Sequence, residues 1–206
     1  MKILALEMSR ARGSIAFLDC GEVPFERSFA NDRKESGAFF AALRQWRGDE
    51  PEPDVIAVGT GPGSYAGVRI ALATARGLAQ AYRAAVVGIP SICALDTSDD
   101  DYSVVGDARR GSFFIAHVSA RRLNKMPELL DELALRRELD KREGPVFRCE
   151  EMRSFEDLRL LFPSASRLAR LAAAAPRERA QPLEPIYLRN PHITIPRQRA
   201  NPVTFA

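Results

Sequence analysis

Apolar and polar positions along Lys2–Ala30 change places in short runs: Lys2–Met8, Ser14–Asp19 and Val23–Ala30 read as three successive strands. Their connections, Arg10–Gly13 and Cys20–Glu22, are too short for anything but antiparallel neighbours, so the chain opens with a meander. Arg33–Arg47 changes to a helical period, with Phe39, Phe40, Leu43 and Trp46 recurring on one face, and Gly48-Asp49-Glu50-Pro51 stops it. Val55–Val58 is a continuous apolar run rich in β-branched residues, the mark of a buried strand. A glycine-rich turn, Gly59-Thr60-Gly61-Pro62-Gly63, leads to Ser64 at an N-cap position and then to a long helix ending at Tyr82. Ala85–Val87 is a further strand and Pro90–Leu95 a short helix. The order β-β-β-α-β-α-β-α describes a mixed sheet, an antiparallel edge feeding parallel crossovers, with helices packed on it.

The helix after the glycine turn has an unusual distribution of side chains. At about 100° per residue, Arg69, Arg76, Gln80 and Arg83 share one narrow stripe. Roughly two-thirds of the circumference is apolar or very small, wider than the ~100° that packing on one sheet requires. Gly67, Ala71, Thr74 and Leu78 form a small-residue row that would let another helix approach. The surplus calls for a second layer of the chain or for a partner.

After the polar cluster Asp96–Asp101 the pattern partly restarts. Tyr102–Gly106 and Ser112–Ser119 read as strands, Pro127–Arg142 as a helix, Val146–Cys149 as a strand and Ser164–Ala175 as an alanine-rich helix. Proline is frequent from Pro176 onward, so Pro185–Ala206 is expected to run extended over the surface. Residues 1–101 thus form a first lobe, and residues 102–206 a smaller second lobe with a basic tail.

Composition changes this picture little. The 206 residues are 46% hydrophobic and 28% charged with a formal net charge of +3, values of an ordinary globular protein. The arginine pairs Arg109-Arg110, Arg121-Arg122 and Arg136-Arg137 read as solvated surface rather than a nucleic-acid footprint. Three scattered cysteines, Cys20, Cys93 and Cys149, argue for a reducing compartment. With no signal segment and no apolar run near the ~20 residues of a membrane span, a cytoplasmic protein without membrane contact is expected.

The search for chemistry yields few candidates. The glycine turn opens a helix, a natural anion site, yet lacks the Gly-Lys-Ser/Thr of a phosphate loop and the spacing of a dinucleotide fingerprint. His117 and His192 have no ligand partner at helical spacing, so no metal is expected. Glu7 closes the first strand and Asp107 follows a later one. Such carboxylates at strand ends could hold metal and phosphate through water.

Five blocks in series carry a family resemblance: Leu4-Ala5-Leu6-Glu7-Met8-Ser9, Gly61-Pro62-Gly63-Ser64-Tyr65-Ala66-Gly67-Val68-Arg69-Ile70, Gly77-Leu78-Ala79, Asp107-Ala108-Arg109-Arg110-Gly111 and Pro185-Ile186-Tyr187-Leu188-Arg189. Together they resemble the TsaB (YeaZ) family of tRNA threonylcarbamoyladenosine biosynthesis. The resemblance implies an α/β, two-lobed actin/hsp70/sugar-kinase-like (ribonuclease H-like) fold. It implies a non-catalytic subunit that activates a TsaD-like paralogue, joined by a TsaE-like ATPase, and that meets tRNA only through the complex. It also implies pairing, with the paralogue or with a second copy as a homodimer, through first-lobe helices. On that basis the expected interface comprises Phe39, Phe40, Leu43, Trp46, Gly67, Ala71, Thr74 and Leu78. Glu7, Ser9, Gly61, Gly63 and Asp107 would be remnants of a nucleotide site, with ATP the one cofactor to consider. The chain departs from the family in having Glu7-Met8-Ser9 for Asp-Thr-Ser and Ala66 for a threonine. The rival readings are a nucleotide-dependent enzyme built on Glu7, Ser9 and Asp107, a homodimer with another role, and direct tRNA contact by the tail.

Overall fold

In this computed structural model, residues 1–31, 36–49, 51–174 and 183–189 are described. The first sheet has the order β3-β2-β1-β4-β5. It is built from β1 (Lys2–Glu7), β2 (Arg12–Asp19), β3 (Glu22–Ala30), β4 (Val55–Gly59) and β5 (Ala85–Ile89). β1 pairs antiparallel with β2 and parallel with β4, so the antiparallel meander and the parallel crossovers meet at the central strand, as expected.

Strand pleating sends alternate residues of the central strands to opposite faces. Leu4, Leu6, Ile56 and Val58 face one core, which α1 (Gly37–Asp49) closes with Phe39 and Trp46, and α2 (Tyr65–Tyr82) with Val68, Ala71, Leu72 and Ala75. Ile3, Ala5, Val55 and Ala57 face the other, closed by α4 (Ala165–Ala174) through Ala165, Leu168, Ala169 and Ala172. Division of the chain at residue 101 groups α4 with the second half. In space it lies on the first sheet, with Ala165 N–H donating to the Ser14 hydroxyl at 2.9 Å.

The second sheet has the order β11-β10-β6-β7-β8, with β9 also paired to β7. Its strands are β6 (Tyr102–Arg109), β7 (Ser112–Ser119), β8 (Arg122–Leu123), β9 (Glu128–Asp131), β10 (Val146–Arg148) and β11 (Arg159–Leu160). Here the helix expected over Pro127–Arg142 divides. Glu128–Asp131 pairs with Ser112–Ile115 as β9, and only Glu132–Leu139 is helical, as α3. Asp131 makes the break: its side chain caps α3 by accepting from Ala134 N–H at 2.7 Å. Leu129 and Leu130 suit either period, and the free edge of β7 decides for the strand. The helix expected from Arg33 begins at Gly37 in the described residues, residues 32–35 lying outside them. Of the tail expected over Pro185–Ala206, only residues 185–189 are described; the rest of that expectation falls outside the described residues.

Candidate functional site

The end of β1, the glycine turn and the β6–β7 hairpin converge between the two sheets. Ser64 caps α2 as its position predicts, accepting from Gly67 N–H at 3.3 Å. The turn lies directly on the chain after β1. Ser64 N–H donates to the Ser9 carbonyl at 2.7 Å, and a Cβ at Gly63 would stand 2.1 Å from that oxygen. Gly61 has a positive φ of 91°, and its N–H donates to the Ser91 hydroxyl at 3.0 Å. Glycine is required at both positions, by contact at one and by conformation at the other.

The expected remnants Glu7, Ser9, Gly61 and Gly63 are therefore assembled, but with the Glu7 and Ser9 side chains enclosed. Glu7 is fully buried and accepts from Ser9 N–H at 2.6 Å through one oxygen. Its other oxygen and the Ser9 hydroxyl have no hydrogen-bond partner among the described residues. Burial pushes the Glu7 carboxyl above its ordinary range, against the opposing pull of the neighbouring Ser9 and Ser91 and of the Arg10 charge. Asp107 stands apart, on the second sheet. It closes its own hairpin, accepting from Arg109 N–H at 2.6 Å and from the Arg109 guanidinium at 2.9 Å.

The residue that fills the cleft is Arg10, which the pattern reading treats only as part of a turn. Its guanidinium donates to Glu150 Oε1 at 2.6 Å and to the Pro62 carbonyl at 2.9 Å, and lies 5.4 Å from the centre of the Phe114 ring. Glu150 follows β10 in the second sheet and also accepts from Asp107 N–H at 3.1 Å. Residue type and spacing carry no signal for this pair, which is separated by 140 positions. A strap at Leu183–Arg189 covers the turn from outside. Ile186 N–H donates to the Thr60 carbonyl at 2.8 Å, Arg76 to the Leu183 carbonyl at 2.9 Å, and the Tyr65 and Tyr187 rings lie 5.5 Å apart. Among the described residues no group of three His, Cys, Asp or Glu side chains is placed to hold a metal ion.

The expected interface residues separate into two sets. Phe39, Trp46, Gly67 and Ala71 are buried in this chain's own first core and present no surface to a partner. The physical reason is phase: the row Gly67–Ala71 is the row that faces the sheet, with a Gly67 Cβ position 2.2 Å from the Met8 carbonyl. Phe40 is exposed and Leu43, Thr74 and Leu78 are partly so. The outward row of α2 is instead Ala66, Ile70, Ala73, Gly77 and Ala81, of which only Ile70 is partly buried. No helix of the described residues is long and apolar enough to cross a membrane.

Two sheets, the first hairpin-edged and with helices on both faces, give the chain a mixed α/β fold of the kind the resemblance implies. Residues 37–178 match the model of the family described as TsaD: tRNA N6-adenosine threonylcarbamoyltransferase, and the chain belongs to this family. The structure is similar to an uncharacterized protein from Pseudomonas aeruginosa described as having similarity to peptidase YEAZ, with TM-score 0.69 and 21% identity over 91% of this chain and 99% of that one. It is likewise similar to YeaZ from Pseudomonas aeruginosa, with TM-score 0.68 and 23% identity over the same shares, 91% and 99%. The resemblance to TsaB (YeaZ) read from the motifs thus holds for the fold. No curated protein matches the chain by sequence.

Proposed function

We propose that this chain is a non-catalytic subunit in the threonylcarbamoyl modification of tRNA adenosine, binding and activating a TsaD-like transferase to which a TsaE-like ATPase is added. Membership of the TsaD family supports the pathway. The observation that carries the non-catalytic reading is the filled cleft. Arg10 spans it from first sheet to second, and Glu7 and Ser9, the groups a phosphate would need, are 0% and 1% exposed. A nucleotide could enter only by displacing an ion pair made by the chain itself.

The docking face is the outward row of α2. Gly77 lies inside an 18-residue helix, where glycine costs about 1 kcal/mol relative to alanine. Beyond its own helical turn, no atom among the described residues lies within 4 Å of where its Cβ would stand, so packing against them does not require it. A partner helix approaching closely over Ala73 and Gly77 supplies a reason for it. The test is light scattering after size exclusion, with the chain mixed with the TsaD-family transferase of its own organism. Wild type should form a heterocomplex that Ala73→Trp abolishes while the variant keeps its melting temperature. A complex unaffected by Ala73→Trp refutes the face. ATP turnover by the chain alone, lost in Arg10→Ala, refutes the non-catalytic reading.

A further inference from the structure

Ser103 of β6 and His117 of β7 are directly opposed, on the face of the second sheet that α3 covers with Leu135. The His117 Nδ1 stands 3.0 Å from the Ser103 hydroxyl and 3.1 Å from a terminal nitrogen of the Arg142 guanidinium. A guanidinium can only donate, so Nδ1 accepts and the proton of the neutral ring is on Nε2. The Ser103 hydroxyl then donates to the same lone pair. Arg142 also donates to Glu138 at 2.5 Å, one helical turn back, and its Nε has no partner among the described residues. The residue sits where the chain leaves α3 and returns to the sheet. Arg142 N–H donates to the Leu139 carbonyl at 3.0 Å, and Ser103 N–H to the Pro145 carbonyl at 2.9 Å. Residues 143–145, between these anchors, are exposed. The Arg142–His117 bond ties this segment to β7.

We infer that Ser103, His117 and Arg142 form a proton-operated latch: the neutral ring holds Arg142, and with it the segment 140–145, against the second sheet, and the imidazolium releases it. The two donors respond differently to a proton on Nδ1. A hydroxyl accepts as well as donates, so Ser103 can turn and take the new N–H. A guanidinium has no acceptor atom, and it then faces a like charge at the same distance. Arg142 is therefore the group that leaves, and its unpartnered Nε gains water by leaving. The surroundings of the ring oppose one another. Burial and then the Arg142 charge hold His117 below its ordinary 6.5, with Lys125 acting the same way, while Glu138 of α3 and Glu128 of β9 pull upward. Glu138 keeps its charge through that range, because its bond from Arg142 holds its carboxyl below the ordinary 4.5. The latched ring thus binds a proton less readily than the released one. Latching is complete above 6.5 and is lost as pH falls through the lower folded value.

NMR of the full chain tests the latch, in a His192→Gln background that leaves His117 as the one histidine. At about pH 7.5 the ring nitrogens should show Nε2 protonated and Nδ1 bare, and the midpoint of the titration should lie below 6.5. Amide exchange of residues 140–144, corrected for the intrinsic effect of pH, should quicken roughly tenfold by about pH 5. The amides of Val104, Val105, Ile115 and Ala116, inside the β6–β7 pairing, should not follow it. Arg142→Met keeps the apolar stem and removes both donor and charge. Exchange of the segment should then be fast at every pH, and the His117 midpoint should rise. Ser103→Ala should retain the pH step, because Ser103 is not the group released. A neutral ring protonated on Nδ1, a midpoint at or above 6.5, or a pH step that survives Arg142→Met overturns the inference. Exchange of the segment that ignores the titration, or that rises together with the inner amides, overturns it as well. A step lost in Ser103→Ala assigns the response to the hydroxyl and does the same.

Discussion

Arg10 and Glu150 form the ion pair that joins the two sheets, at 2.6 Å and with side chains 5% and 18% exposed. The members are unequal in what they leave behind. Without Arg10, Glu150 still accepts from Asp107 N–H and has Arg109 at 4.0 Å. Without Glu150, a buried guanidinium keeps, among the described residues, only the Pro62 carbonyl and the Phe114 ring. Glu150→Ala should therefore cost more stability than Arg10→Ala. The cost should be about 3 kcal/mol for the former, toward the lower end of the range for breaking a buried pair because Glu150 is partly solvated. Urea unfolding of both variants checks the order, and equal or reversed losses would show that the pair does not hold the cleft.

Ala71 and Ala73 are two residues apart on α2 and differ in what they face. Ala71 is 0% exposed in the first core, and Ala73 is exposed. A charge at position 71 is thus a folding test rather than an interface test: Ala71→Glu should unfold or severely destabilise the chain. Gly77→Ala, with open space at the Cβ, should stabilise the isolated chain by about 0.5–1 kcal/mol. Thermal melts of the isolated chain distinguish these outcomes, and a destabilised Gly77→Ala would mean that the glycine serves this chain after all.

The contrast between those positions shows how far sequence reading reaches. The antiparallel meander and parallel crossovers of the first sheet follow from turn lengths and apolar runs, and Ser64 is found as an N-cap, because these are local properties. The width of the apolar surface on α2 was legible too, but not its phase. Gly67 and Ala71 are as small as Ala73 and Gly77, and only the position of Met8 beneath the helix decides which row faces inward. Arg10–Glu150 and the strap at Ile186–Tyr187 are contacts across long stretches of chain, with no periodic signature. The strand β9 was read as helix for a related reason: its partner β7, not its own composition, makes it extended.

The three cysteines differ in accessibility. Cys20 is exposed, whereas Cys93 and Cys149 are buried, and burial pushes both of their thiols up to about 12. A thiol reacts as its thiolate, so the buried pair is protected by both access and charge. Folded protein should titrate one equivalent rapidly with Ellman's reagent, and Cys20→Ser should remove that phase. Rapid reaction of two or three equivalents would contradict the burial of Cys93 or the bond of the Cys149 thiol to the Val105 carbonyl.

Glu7 should make stability depend on pH in a direction opposite to that of a salt-bridged carboxylate. Its carboxyl is raised in the folded chain above the ordinary 4.5, chiefly by burial. Between 4.5 and the raised folded value, the native state holds a proton that the unfolded chain has released. The unfolded state then binds fewer protons, so stability falls as pH rises through this window; the Glu7 contribution is fully present below it. Glu7→Gln keeps the acceptor for Ser9 N–H and removes the titration. The variant should match wild type in acid and exceed it progressively as pH rises above the ordinary value toward the raised folded one, other titrating groups cancelling in the difference. Urea midpoints of the two proteins across that range measure the effect. A difference that does not vary with pH would mean that Glu7 has the same proton affinity folded and unfolded, and that its enclosure beside Gly59 and Ser91 is looser than the structure has it.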